Sequence, residues 1–513
     1  MRALVPALLV CLAGCRPSAP AAPVDGSAQP SEDEQGSGAV ARWTYTFEVD
    51  DALERMDLGL CVVGPRPRRL VAGREAIHFV RHAQVRGGPP LRRDGRGFVV
   101  ETLGEHGCVD LEIDLDAAVR ASGRDSDRHG DSLMIAPDRW LWYPAVVPDA
   151  LEARARFVLP DGVTATVPWP RLDAVPDLVE PEADWRALDP TSFGWNAWVA
   201  FTHAPPLEFV ADECEFEVAV LAGERRVTSA GIEAWLRAAA GAGAQLYGRF
   251  PRDRVSVVVV PIPAWGDSPV LFGMARRGGG GSVMLLIDDT ATDEELPGEW
   301  VAVHELLHLG MPLIADPWMS EGFVTYYSAV LRARAGLLDA DPSLDAQTLA
   351  ALTILTEGFA DRPSARTLES ASANMRQLGS YQRVYWGGAA LAFDLDLALR
   401  VASHNRRSLD DLMIALAPQA IAHRRFIAAD LLAQMDAITE EWLARGELDR
   451  AVSPTAIAES HLRAKATPEA IQRLRGIAVE RSGQLRLLAD PIDQVQLREG
   501  LFRPKDPTNT PEK

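Results

Sequence analysis

The sequence predicts an α+β chain of more than one domain, an N-terminal all-β, sandwich-like domain followed by a mainly helical one. Three observations predict it. From Ala41 to about Val220 the residues form short alternating or apolar runs, separated by Pro, Gly and Asp clusters. After Arg226 the apolar spacing becomes helical, as in "SAGIEAWLRAAAGAGAQLYGRF". The chain has 513 residues, more than one ordinary core accommodates. Apolar residues make up 47 % and charged residues 24 %, the balance of a packed protein rather than a disordered one. The net charge of −20 would repel phosphates, which argues against nucleic acid as a partner.

The chain begins "MRALVPALLVCLAGC". Arg2 precedes an apolar run, Ala3 to Ala13, too short to span a bilayer. Leu12-Ala13-Gly14-Cys15 resembles a bacterial lipobox, in which Cys15 becomes the lipidated first residue. The competing reading is an ordinary secretory signal with an incidental cysteine. The expectation is a signal at 1–14 and a lipidated Cys15, with a Pro/Ala/Ser/Gly-rich tether over 15–40. Arg16 stands where an Asp would indicate retention at the inner membrane, so the outer membrane or periplasmic side of a bacterial envelope is expected. No later run of 18 or more apolar residues occurs, so the lipid would be the anchor.

The β domain is expected over 41–225, with strands in "RWTYTFEV", "GRGFVVETL", "CVDLEIDL", "ARFVLP", "TATVPW" and "CEFEVAVLA". The aromatic run "DRWLWYP", Asp138 to Pro144, reads as core. Cys61 and Cys108 both sit in strand-like text, which leaves a disulfide and two buried thiols equally open. The second domain is expected over 226–450. "RVSVVVVPIP" and "SVMLLIDD" read as buried strands, "ARRGGGGS" between them as a flexible loop, and helices dominate from Glu299. Ser408 opens the helix "SLDDLMIALA" as N-cap, with Asp410 and Asp411 in its first turn. The tail, 451–513, reads as one or two amphipathic helices with a frayed end.

The chemistry concentrates at "EWVAVHELLHLGM". His304 and His308 stand at i and i+4 of a helix that Gly310 and Pro312 end, so both imidazoles project from one face. Glu305 sits about 100° round from His304, placed to reach a water at the metal without ligating it. This is the H-E-x-x-H pattern, two ligands and a general base. Asp316-Pro317 opens a second helix, to about Ala335, that carries Glu321 on its second turn. Two helices joined by a short turn bring Glu321 to the histidines, leaving a fourth position open as in a catalytic zinc site. Asp316 is the rival ligand, but it has the capping position. Further on, Tyr385 precedes Gly387-Gly388 near a helix start, where a phenol can face a developing oxyanion; Tyr381 is the second candidate.

At these residues the sequence resembles a gluzincin zinc metallopeptidase, most closely the glycyl aminopeptidase family, relatives of the aminopeptidase N family. "VAVHELLHL" resembles the zinc helix, and "WMSEGFVTYYSAVLRAR" the phrase that supplies the glutamate ligand. "VYWGGAALAFDLDLALRVASHNRRSLDDLMIAL" resembles the segment with the family's tyrosine. The resemblance implies Zn(2+) held by His304, His308 and Glu321, with Glu305 as general base and acid. Tyr385 would stabilise the tetrahedral intermediate. It also implies a thermolysin-like catalytic domain behind the β domain, and a peptide or protein substrate.

The chain departs from the family in three places. The glycine-rich phrase before the zinc helix usually carries a glutamate for the substrate's free amine. Here the segment is "RRGGGGSVML", Arg276 to Leu285, without one; Asp288 and Asp289 are the nearest acids, and Arg276 and Arg277 would repel a cation. The connection from His308 to Glu321 is short. The tail is too short for the PDZ domain that often ends family members. The expected function is a secreted, lipid-anchored zinc metallopeptidase, exo- or endopeptidase. The alternative is a catalytically impaired surface protein that binds peptides or envelope components. The sequence leaves the oligomeric state open.

Overall fold

The computed structural model describes residues 40–504, apart from 66, 101–102, 105, 122–125, 149, 173–183, 264–267, 361–363, 422–423, 467–477, 482–483 and 488–491. The signal, Cys15 and the tether therefore lie outside the described residues. Among the described residues no helix is long and apolar enough to cross a membrane.

The N-terminal half is built on strict alternation. In the strand Ala41–Val49, Trp43, Tyr45, Phe47 and Val49 face the core while the residues between them face outward. That strand is central in a six-stranded sheet ordered Trp185–Leu188, Leu151–Val158, Ala41–Val49, Arg55–Val63, His106–Asp114 and Val80–Val85. Its pairing with Leu151–Val158 is parallel and the other pairings are antiparallel. Two four-stranded sheets cover the rest of this core. The "DRWLWYP" run is core, with Trp140 and Trp142 fully buried and the Trp140 ring edge-on to Phe47 at 5.0 Å.

Cys61 and Cys108 stand directly opposite on neighbouring antiparallel strands and form a disulfide. They sit on the outer face, since Leu60, Val62 and Val109 beside them point into the core. A bridge across a sequence separation of 47 stabilises the fold by about 4 kcal/mol through lost freedom of the unfolded chain.

The second half is a five-stranded sheet backed by helices. Its order is Leu207–Ala211, Cys214–Val220, Arg254–Ile262, Gly281–Asp288 and Val270–Arg276. This corrects the boundary expected at 226. Cys214–Val220 runs parallel to Arg254–Ile262, so the second sheet begins at Leu207. An alternating pattern identifies a strand but not its partner, and this partner lies a whole helix, Ser229–Tyr247, further along. The tail is also corrected, because it is not purely helical. Between the helices Pro454–Arg463 and Ile492–Phe502 lies a two-stranded ladder, Ala478–Arg481 with Gln484–Leu487. Leu501 and Phe502 are fully buried in the main core, and Arg334 Nε donates to Leu501 O at 2.8 Å.

The halves meet at a small apolar core. Met134, Trp198 and Ala200 from the first pack on Ala219, Val258 and Met284 of the five-stranded sheet. Beside it lies the four-glycine turn, and it is docked rather than flexible. Gly278 N donates to Asn196 O at 3.0 Å and Gly279 N to Thr191 Oγ1 at 2.9 Å. The Thr191 hydroxyl in turn donates to Asp189 Oδ1 at 2.5 Å. Gly279 has φ +75°, and a Cβ there would overlap Ser192 Oγ and lie 2.6 Å from Trp169 Nε1. The glycines serve close approach of two backbones, which composition alone does not distinguish from flexibility. Gly279→Ala is expected to lower stability by about 3 kcal/mol, combining left-handed strain with overpacking. An unchanged urea midpoint for that variant would show the turn to be undocked.

Candidate metal centre

The helix Trp300–Gly310 carries His304, Glu305 and His308. Glu299 caps it, its carboxylate accepting from Val301 N at 2.9 Å. Two arginines hold the other end. Arg252 Nε donates to Leu309 O at 2.8 Å, and Arg277 donates to His308 O. Positive charge at a helix C-terminus is favourable. Arg277 is therefore held at the C-terminal end of this helix. Burial and the charge of Arg252 pull its guanidinium down to about 9. Arg276 lies flat on Trp198, 3.7 Å from the ring centroid.

The helix Pro317–Arg334 follows and brings in Glu321. Asp316 holds the N-cap position, yet its side chain accepts from Ala428 N at 2.7 Å and takes no part in the centre. The helix Tyr381–Ser403 crosses it at a glycine pair. A Cβ on Gly388 would come within 2.8 Å of Gly322 Cα, so only glycines permit this approach. Glu321 adjoins Gly322, and Tyr385 lies one turn before Gly388. The close crossing is what puts the two side chains together.

His304 Nε2 and His308 Nε2 each lie 3.3 Å from the same atom, Glu321 Oε2. Donors about 2.1 Å from a tetrahedral ion stand about 3.4 Å apart, so these two distances match two edges of one such site, and all three donor atoms lie within 4.8 Å of one another. Among the described residues these are the group of His, Cys, Asp and Glu placed to hold a metal. His304 is buried, whereas His308 and Glu321 keep some exposure, which leaves one side for a further ligand. Two imidazoles and a carboxylate with that side open suit zinc. The Tyr385 ring stacks on His304 at 5.9 Å, and Tyr381 is buried at the start of the same helix.

The electrostatics separate the two glutamates. Burial alone would raise Glu321, but the charges and hydrogen bonds of His308 and His304 outweigh it and hold the carboxyl well below the usual range. Glu305 is pushed up to about 7, mainly by burial, with the Glu321 charge adding and the His304 charge opposing. Burial and then the charges of Glu321 and Glu305 raise Tyr385 well above its ordinary value, so its phenol stays protonated and able to donate.

One functional element was missed in the sequence. "VLFGMAR" is an edge strand, Val270–Arg276, antiparallel to Gly281–Asp288. Its Ala275 N donates to Glu305 Oε2 at 2.8 Å. Gly273 admits the helix, since a Cβ there would stand 2.6 Å from Glu305 Cγ and 2.7 Å from Val301 Cγ1. The apolar run ending in a glycine was the available signal. Asp288, the nearest acid named in the sequence, is occupied by Thr290, whose N and Oγ1 donate to it at 2.7 and 2.6 Å.

In comparison with solved structures, the chain is similar to an aminopeptidase N family protein from Idiomarina loihiensis, at 15 % identity and TM-score 0.58. That match covers 84 % of this chain and 78 % of the other. An M1 zinc metallopeptidase from Deinococcus radiodurans aligns at 15 % identity and TM-score 0.45, over 83 % of this chain and 94 % of that one. A mutant M1 zinc metallopeptidase from the same organism, bound to a Tyr-Ser-Ala substrate, aligns at 16 % and 0.42, over 91 % and 96 %. No protein-family model matches the sequence, and no curated protein does. The Idiomarina match shows the fold: a β-rich N-terminal half before a mainly helical one.

Proposed function

We propose that this chain is a zinc metallopeptidase, exported and held at a bacterial envelope by a lipid on Cys15. The observation that carries the hydrolytic reading is the convergence of His304 Nε2 and His308 Nε2 on Glu321 Oε2, with the Glu305 carboxylate fixed alongside. Zinc bound by His304, His308 and Glu321 would polarise the scissile carbonyl and make a water more acidic.

The rest is the work of the chain's own side chains. Glu305, with an affinity for protons near neutrality, takes the proton of the attacking water and delivers it to the leaving amine. Tyr385 donates its phenolic proton in a hydrogen bond to the oxyanion that develops on the carbonyl oxygen. The edge strand Val270–Arg276 offers its outer side to an extended peptide as an added strand. The carboxylates whose charge bears on Tyr385 are Glu321 and Glu305, both part of the same cluster. The glycine-rich phrase from Arg276 to Leu285 carries no glutamate for a substrate ammonium, which favours cleavage inside peptides. That same feature supports the second reading, a peptide-binding surface protein that does not cleave.

Digesting a peptide library with free and blocked N-termini, with and without a zinc chelator, tests the proposal. Chelator-sensitive cleavage at internal bonds of both sets is expected. Cleavage insensitive to the chelator, or none from protein carrying about one zinc per chain, would remove the peptidase reading.

A further inference from the structure

We propose that Trp198 is a positioning residue for Glu305, acting from the N-terminal half through one peptide group. The role of Glu305 rests on the reading above; the linkage does not. Trp198 Nε1 donates to Met274 O at 2.8 Å, and Ala275 N donates to Glu305 Oε2 at 2.8 Å. Met274 C=O and Ala275 N–H are the two ends of the same amide. In a trans amide they point to opposite sides of the strand, so the indole and the carboxylate hold it from either side.

Amide resonance couples the two bonds. A hydrogen bond accepted at the oxygen draws nitrogen lone-pair density into the C–N bond and makes the N–H a better donor. The donor to Met274 therefore tightens the grip of Ala275 on Glu305 and narrows the directions its carboxylate can take. Gly273 contributes by leaving the helix room to sit this close.

The indole is well anchored for this task. Trp198 is 1 % exposed, its own N donates to Ser282 Oγ at 3.0 Å, and Arg276 covers its ring. It packs among Met134, Ala219, Val258 and Met284. Its partner strand lies 76 residues further along the chain. The first half thus reaches the site with a single N–H, giving it a part in catalysis besides support.

Met274–Ala275 is the one Met–Ala step in the chain. Labelling methionine carbonyl carbons with 13C and alanine amides with 15N thus isolates the signal of this peptide group. Two variants are compared with the unaltered protein. W198F keeps an aromatic ring and loses the donor; E305Q keeps the shape and loses the charge. Both bonds deshield their nuclei, so each variant is expected to move its own end upfield. The coupling requires more: W198F also moves the Ala275 proton upfield, and E305Q also moves the Met274 carbonyl carbon upfield. In active protein, W198F is expected to lower kcat about fivefold with KM and zinc content unchanged, while the melting temperature falls with the lost ring volume and the unpaired Met274 carbonyl. If each variant moves only its own end, or an active W198F keeps its full kcat, the proposal is wrong. The shifts need no turnover. Propagated shifts in a protein that hydrolyses nothing would sink the peptidase reading and leave this linkage standing.

Discussion

Glu305→Gln is expected to abolish most hydrolysis while leaving the metal in place. The amide fills the same volume and still offers Ala275 an oxygen to donate to, but it cannot take a proton. Positioned general bases contribute on the order of 10²–10⁴-fold, and that is the expected loss in kcat. Zinc should remain at about one per chain, because Glu305 stands outside the His304, His308 and Glu321 set. Stability gives an independent reading in the metal-free protein. The Glu305 carboxyl is raised by burial to about 7 in the fold. Ionising it therefore costs stability as pH rises from its ordinary value through 7, and the cost is complete above that. Gln has no such cost. Metal-free E305Q should match the unaltered protein near pH 4 and exceed it by about 3 kcal/mol at pH 8. Retained turnover would eliminate Glu305 as the base; a stability difference independent of pH would contradict its burial.

Glu321→Ala is expected to remove metal and activity together. Both imidazoles converge on one oxygen of this carboxylate, and without it two neutral donors remain. Partners outside the ligand set already change metal affinity by about 10–100-fold, so losing a ligand should cost more. Zinc after gel filtration should fall to a small fraction of one per chain. Asp316→Asn is the matched control. Its carboxylate accepts from Ala428 N and not from the centre, so zinc should be kept. Full zinc in E321A, or loss of zinc in D316N alone, would reverse the assignment made between these two acids.

What could be read directly from the sequence was what local spacing encodes. His304 and His308 share a helix face because they are one turn apart, and Glu305 is offset by a fixed angle. The next helix starts at Pro317, so Glu321 follows from a short connection. The runs 254–262 and 281–288 are buried strands because most of their residues are apolar and unbroken in the middle. All of this requires only the repeat of a helix or a strand over a few residues.

Other parts of the protein exist only once distant segments meet. The parallel pairing that moves Cys214–Val220 into the second sheet spans an intervening helix. The glycines of 278–281 look like those of a flexible loop until Thr191, Asn196 and Trp169 are laid against them. The Gly322–Gly388 crossing brings Tyr385 to Glu321 from another helix. Ala275 holds Glu305 with a backbone N–H, a group that every residue except proline possesses, so no side chain marks the position. Periodicity along one element sets His304 beside His308. The hold on the Glu305 carboxylate comes instead from an edge strand and an indole separated by 76 residues, and long-range contacts of that kind leave no local trace.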